Sequence, residues 1–329
     1  MQAQQDWQPT ATLETLKLRA MVLARVRAYF ARAEVLEVET PMLSAAAATS
    51  PHLASFATRY FGPGKRSGST LYLQTSPEYA MKRLLAAGSG SIFQLCKVFR
   101  DGEYGPRHNP EFTMLEWYRV QYNHLDLMQD VERLVIEVLE GIFPIRGVYH
   151  WRYRDLFREY VQLDPFNTTP EALQAVLASR AGIETVGMQG ADLDTWLELV
   201  MTHIIEPRLG AELIFIRDYP VSQAALARLR PGNPPVASRF EVYLNGVELA
   251  NGFHELADVH EQRMRFDQEN RMREYHGLPA MPVDEHLQAA LAAGLPECAG
   301  VALGIDRLLM LATNAADVAD VMSFGFESA

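Results

Sequence analysis

The alternation of apolar and polar positions divides the chain into a readable series of elements. Between Leu16 and Ala33, Val22, Val26, Tyr29 or Phe30, and Ala33 recur at helical spacing, which predicts an amphipathic helix. It runs into VLEVETP, where Leu36 and Val38 alternate with Glu37 and Glu39 as in a short strand that stops at Pro41. SAAAATSPHLASF and FGPGKRSGST read as loops. TLYLQTSPEY is a strand ending at Ser76 and Pro77, followed by a helix around Tyr79 to Leu85. SIFQLCKVFRDGEYGPRHNPEFTMLEWYRVQY predicts an antiparallel hairpin with a long glycine-containing loop. Asn123 to Leu139 places Leu127, Val131, Leu134, Val135 and Val138 on one helical face. Residues 149 to 210 are poor in strand signals and predict a helical insertion. Strand resumes at AELIFIRDYP, and RFEVYLNGVELANGFHEL is a hairpin turning at Asn245-Gly246, the pair favoured in type I′ turns. A charged helix from Val259 to Tyr275 follows, then the strand GVALGID leads straight into the helix RLLMLAT. There is no internal repeat, and strands and helices do not alternate regularly. The predicted class is α+β, a mainly antiparallel sheet flanked by helices rather than a doubly wound parallel sheet.

One predicted strand poses a question of charge. In RHNPEFTMLEWYR, alternation puts Phe112, Met114, Glu116 and Tyr118 on one face and Thr113, Leu115 and Trp117 on the other. Both faces are largely apolar, as in an interior strand. A buried, unpaired carboxylate costs several kcal/mol, so Glu116 predicts a cation partner.

Composition narrows the classes. The 329 residues are 48% hydrophobic and 22% charged, ordinary for a globular protein, and the formal net charge is -11. No basic run appears, which argues against an extended nucleic-acid footprint. Cys96 and Cys298 lie far apart without CxxC spacing, as expected of reduced thiols in a cytoplasmic protein. The polar N-terminus has no targeting signature, and the apolar windows are too short to span a bilayer.

Phosphate-binding loops are missing: FGPGKRS departs from GxxxxGK[ST], and no GxGxxG follows a strand. A bound nucleotide would be held by arginines, with Arg100, Arg107 and Arg307 as candidates; structural ion pairs are the competing reading for each. Glu78, Glu116, Glu241, Glu248 and Glu255 all lie in or beside strands, where glutamate is depleted. Strand parity groups Glu248 with Ala250 and Gly252, whose small side chains leave room beside it. Such acids serve internal arginines, a divalent metal or a substrate ammonium. His254, His260 and His276 lack ligand spacing on one helix face, which argues against a zinc site. His108, beside Asn109, either contacts phosphate or closes a turn.

Together these segments resemble the class II aminoacyl-tRNA synthetases. FARAEVLEVETPML is similar to the first motif of that family, VFRDGEYGPRHNPEFTMLEWY to the second and GVALGIDRL to the third. TSPEYAMKRLL and ELANGFHEL resemble the lysine branch. The resemblance implies one catalytic domain over residues 1–329 with the insertion at about 149–210, and a homodimer through the Pro41 region. An N-terminal OB-fold that reads anticodons is not expected, and neither tRNA nor a membrane is expected as a partner. The resemblance extends to a stand-alone group whose members activate (R)-β-lysine with ATP and pass it to a lysine of elongation factor P.

By that resemblance Arg100 holds the α-phosphate and the substrate carboxylate, and Arg307 and Phe112 sandwich the adenine. Asp101, Gly102, Glu103, Arg107, His108, Asn109, Leu249 and Gly304 complete the ATP site, and Glu241 and Glu248 hold magnesium. Ser76, Pro77 and Glu78 meet one ammonium of the substrate, while Glu116, Tyr118 and Glu255, with Asn251, meet the other, the cation that Glu116 requires. Two departures stand out. Gly102 separates Asp101 from Glu103, leaving either acid open for the adenine amino group. Ala302 replaces the usual glycine and reshapes the amino-acid pocket. Two alternatives remain: a truncated synthetase-like enzyme activating α-lysine, and a catalytically silent dimeric regulator.

Overall fold

The computed structural model describes residues 7–184, 188 and 190–329; the start of the polar N-terminal tail, residues 1–6, and residues 185–187 and 189 of the insertion lie outside them. In chain order the elements are α1 (Leu13–Arg32), β1 (Leu36–Glu37), β2 (Leu43–Ser44), β3 (Ala57–Arg59), β4 (Thr70–Leu73), α2 (Glu78–Ala86), β5 (Ile92–Phe99), β6 (Glu111–Val120), α3 (His124–Leu139), β7 (Val148–Arg152), α4 (Tyr153–Val161), α5 (Pro170–Ala181), α6 (Leu193–Val200), β8 (Leu213–Tyr219), β9 (Leu229–Arg230), β10 (Val236–Leu244), β11 (Val247–His254), α7 (Val259–Tyr275), α8 (Glu285–Gly294), β12 (Cys298–Gly304) and α9 (Ile305–Thr313). The chain forms two compact units: Met1–Gln121, Glu137–Phe143 and Ala257–Ala329 in the first, Tyr122–Ile136 and Pro144–Leu256 in the second.

In the first unit, Thr12 caps α1 by accepting from the Thr15 amide, and the helix buries Val22, Val26, Tyr29 and Phe30 at the predicted spacing. Its strands run in the order β1, β5, β6, β12, with β1 parallel to β5 and the other neighbours antiparallel. β6 is the interior strand that its two apolar faces predicted: Met114 through Tyr118 are all buried. On the Glu116 face, Gln94 lies opposite on β5 and Ala302 opposite on β12. Gly300 and Gly304 stand opposite Tyr118 and Met114, so β12 offers only small residues along that face. The segments read as loops flank a separate small sheet of β2, β4 and β3. The sequence reading did not anticipate α8, which Asp284 caps.

In the second unit, β11, β10, β8 and β7 lie in that order, with β9 against β10. The β10–β11 hairpin turns through Asn245 and Gly246, both at positive φ (54° and 69°), as a type I′ turn requires. The insertion is not wholly helical, contrary to expectation: Val148–Arg152 form β7, parallel to β8. Short-range pattern missed it because β7 is exposed or half-exposed throughout and owes its form to a distant partner. The helices that follow bury Tyr153, Leu156, Phe157, Trp196 and Leu197 against Ile214 and Ile216 of β8.

A β-bulge overturns the parity expected of Glu248. Val242 pairs with Ala250, but Tyr243 pairs with Glu248, so β11 carries one extra residue there. The side chain of Glu248 therefore joins the face of Glu241, Tyr243 and Asn251 instead of that of Ala250 and Gly252. Among the described residues no helix is long and apolar enough to cross a membrane.

Candidate active site

The first unit assembles three groups of the expected residues. The carboxylate of Glu116, 2% exposed, accepts from Ser76 Oγ at 2.7 Å and from the Tyr118 hydroxyl at 2.8 Å. Ser76 also accepts from the Glu78 amide at 3.0 Å, which fixes the turn through Pro77 into α2. Glu78 receives Lys82 Nζ at 2.6 Å, one helical turn on, and Lys82 is itself buried. The sequence reading missed Lys82, although its i,i+4 spacing from Glu78 was a usable signal. Burial, followed by the charge of Glu116, pushes the nearby Cys96 thiol up to about 12, so it stays protonated.

Arg100, at the end of β5, lies with its guanidinium carbon 5.1 Å from the centroid of the Phe112 ring, and its Nη1 is 3.4 Å from Glu103. Asp101 is exposed and bonded through its backbone to Ala54, with Gly102 turning the chain at φ 80°. The extra residue thus separates two acids: Glu103 turns to Arg100 and Asp101 does not. Gly105 and His108 exchange backbone hydrogen bonds around a tight turn that leaves Arg107 exposed. Arg307 Nη2 lies 2.7 Å from His108 Nε2; a guanidinium can only donate, so the ring accepts. Burial and then the Arg307 charge lower the His108 pKa and favour this neutral ring. Of the two readings of His108, the turn is the one seen here, and the ring also contacts a candidate arginine. Phe112 and Arg307, expected as a pair around adenine, have separate neighbours, Arg100 and His108. Asn109 is buried, donating to the Glu111 carbonyl at 2.6 Å and accepting from the Phe326 amide at 3.0 Å.

Gly304 caps α9, and the stem of Arg307 lies 3.7–3.8 Å from where a Cβ there would stand. Asp306 anchors this helix start. It is 2% exposed, pairs with Arg19 Nη1 at 2.6 Å and accepts from the Thr113 amide at 2.6 Å. Neither Arg19 nor Asp306 was foreseen, because their partnership spans nearly the whole chain.

In the second unit, Glu241 accepts from the hydroxyls of Tyr219 at 2.6 Å and Tyr243 at 2.7 Å, and from Arg239. Arg239 Nε also donates to Asn251 Oδ1 at 3.2 Å. Here the structural alternative applies: Glu241 does serve an internal arginine, and sequence reading missed Arg239 two residues before it on the same face. Glu248 and Glu241 line a cavity of about 50 Å³ together with Glu198, Glu206, Tyr153, and Arg239. Burial, reinforced by the charges of Glu248, Glu241 and Glu198, raises the Glu206 pKa from the ordinary 4.5 to about 7. Leu249 is buried at the bulge, and Glu255, 2% exposed, is bridged through its backbone to Ala227.

The described residues thus offer buried carboxylates and ordered arginines. The model of tRNA synthetases class II (D, K and N) matches residues 5–328. The chain belongs to this family. Within the class II synthetase framework, the most similar proteins compared include three of one name. The elongation factor P--(R)-beta-lysine ligase of Klebsiella pneumoniae subsp. pneumoniae is 48% identical over 324 residues, 98% of each chain. Those of Salmonella paratyphi B and Salmonella dublin match with the same identity and coverage.

Class II enzymes use ATP and a divalent metal. Among the described residues no group of three or more His, Cys, Asp or Glu could hold a metal alone. Glu248 and Glu241 lie on one hairpin face, and although Glu241 already accepts from Arg239, Tyr219 and Tyr243, such oxygen donors fit magnesium, which takes one or two carboxylates and completes its shell with phosphate and water.

Proposed function

We propose that this chain activates (R)-β-lysine with ATP and transfers the β-lysyl group to a lysine ε-amino group of elongation factor P. The observation that carries the reading is the Glu116 carboxylate. It is buried, oriented by two hydroxyls, and faced on β12 by Gly300, Ala302 and Gly304. Such a group is suited to receiving an ammonium with little side-chain bulk beside it. The names of the relatives agree with this reading.

In the first step the substrate carboxylate attacks the α-phosphorus of ATP, and the bond to the bridging oxygen breaks with loss of pyrophosphate. Arg100 balances the charge that develops at the α-phosphate; no general base is needed, because the attacking carboxylate is already ionised. Arg307, Phe112 and the loop from Asp101 to Asn109 hold the nucleotide, together with Gly304. Glu241 and Glu248 would hold magnesium, which neutralises phosphate charge when bound. Ser76 and Glu78 receive one ammonium, and Glu116 and Tyr118 the other. In the second step the acceptor amine attacks the acyl carbon, AMP departs, and the amine loses a proton to solvent. Residues 1–329 act in this reading as one catalytic domain, as a cytoplasmic homodimer joined around Pro41, where Leu36 and Leu43 are 55% and 48% exposed.

The test is pyrophosphate exchange with α-lysine and both β-lysine enantiomers, followed by transfer to elongation factor P or to tRNA. Exchange fastest with (R)-β-lysine and transfer to the protein are expected, with Arg100→Ala about a hundredfold slower or worse. Preference for α-lysine with tRNA charging would establish the truncated-synthetase alternative. No exchange with any isomer would establish the silent regulator. Light scattering should give twice the chain mass.

A further inference from the structure

The Arg239 side chain of the second unit is engaged by a ring and three acceptors, and nothing in the proposed reaction uses it directly. Its guanidinium carbon lies 4.6 Å from the centroid of the Tyr219 ring, and the side chain is 16% exposed. From that position the planar fork reaches three acceptors. Nε donates to Asn251 Oδ1 at 3.2 Å, Nη1 donates to the Gln223 carbonyl at 2.8 Å, and Nη2 donates to Glu241. The strand register explains the convergence. Arg239 and Glu241 share a face of β10, Asn251 lies directly opposite Glu241, and Phe253 opposite Arg239.

We propose that Arg239 is a positioning residue that fixes the amide of Asn251 in the orientation the substrate meets, while the same fork holds the Glu241 carboxylate. The inference rests on the proposed function. A guanidinium has five N–H donors and no acceptor, so the amide atom it touches must be the carbonyl oxygen. Arg239 thereby decides the flip of Asn251, whose N–H bonds point away from Arg239. Asn251 then acts as a donor, which suits an oxygen acceptor such as the substrate carboxylate and not the ammonium that the resemblance assigned to it. The role needs the fork: a lysine ammonium at the same position is a point charge that satisfies Glu241 but cannot also hold the Asn251 and Gln223 oxygens in one plane.

The experiment compares Arg239→Lys, Asn251→Ala and the double variant by pyrophosphate exchange, with the KM of the amino acid as the readout for the Asn251 branch. Each single substitution is expected to raise that KM about tenfold. The double variant is expected to stay within about twofold of Asn251→Ala, because the two residues act as one unit. A purely structural Arg239 would lower thermal stability and leave the amino-acid KM unchanged, or give multiplied effects near a hundredfold; either result overturns the proposal. If Arg239→Lys does not fold, Asn251→Asp decides. It keeps the shape and the contact with Arg239 but removes the N–H donors, so it should raise the KM at least as far as Asn251→Ala, and an unchanged KM overturns the proposal. The series is read on whichever lysine isomer the wild-type enzyme activates, so a wrong isomer leaves this test intact. Failure of exchange with every isomer refutes the proposed function itself and, with it, this role for Arg239.

Discussion

Replacing Asp306 by alanine removes the carboxylate that joins the start of α9 to α1 and β6. In the native chain Asp306 is 2% exposed and its partner Arg19 has 15% of its side chain exposed. The substitution leaves the Arg19 charge nearly buried, with Thr113 Oγ1 at 2.7 Å as a remaining acceptor, and strips the Thr113 amide of its acceptor. Breaking a buried pair from one side costs about 3–5 kcal/mol. An orphaned amide adds about 1–3 kcal/mol in isolation, but the two losses share one side chain and are not additive. Arg19 retains some solvent, so the lower end applies, and about 3 kcal/mol is expected. Urea unfolding followed by fluorescence measures it. The double variant Arg19→Met with Asp306→Leu replaces both charges by apolar groups and should recover the part of the loss due to the buried Arg19 charge, while the Thr113 amide stays without its carboxylate acceptor. Asp306 also fixes the turn that carries Arg307, so kcat/KM for ATP should fall at least about tenfold in Asp306→Ala. A loss under about 1 kcal/mol, or a double variant as unstable as the single, would refute this account of the network.

Three further outcomes follow from particular residues. Glu206 binds its proton more tightly in the native chain than in the unfolded one, so stability should fall as pH rises from 4.5 to about 7. Glu206→Gln should lack that decline: comparing urea midpoints at about pH 5 and about pH 8, the variant gains on the wild type at the higher pH, and an equal gap at both would contradict the assignment. Gly246→Ala should destabilise by about 2 kcal/mol or more, since the residue sits at φ 69° and an added Cβ would come 2.6 Å from the Glu206 carbonyl oxygen; a melting curve like the wild type's would count against this. Ala302→Gly opens the space opposite Glu116 by one methyl and should shift the ratio of specificity constants toward α-lysine by about tenfold, the scale of a methyl-sized change. An unchanged ratio would remove Ala302 from the selectivity argument.

How far the candidate site was legible depended on whether a residue's partner was close in sequence. The charge problem at Glu116 could be posed from alternation alone, and one of its hydroxyl partners, Tyr118, sits two residues away on the same face. The other, Ser76, arrives from the turn before α2. The cation beside Glu78 was within local reach, since Lys82 is one helical turn on. The ion pair of Asp306 with Arg19 was not, because it joins residues from opposite ends of the chain. His108 shows a mixture: its turn with Gly105 is local, and its contact with Arg307 depends on α9 being brought to the hairpin loop.

The sequence by itself determined the phases of the long helices, the interior character of β6, and the hairpin at Asn245-Gly246, because each follows from spacing or backbone preference within a few residues. Tertiary structure alone decided that Val148–Arg152 become a strand beside β8, that a bulge turns Glu248 to the Glu241 face, and that Arg239 claims the oxygen of Asn251. Those features depend on which distant backbone groups meet. A single added residue in a ladder reverses every side-chain direction beyond it, and periodicity carries no record of that event.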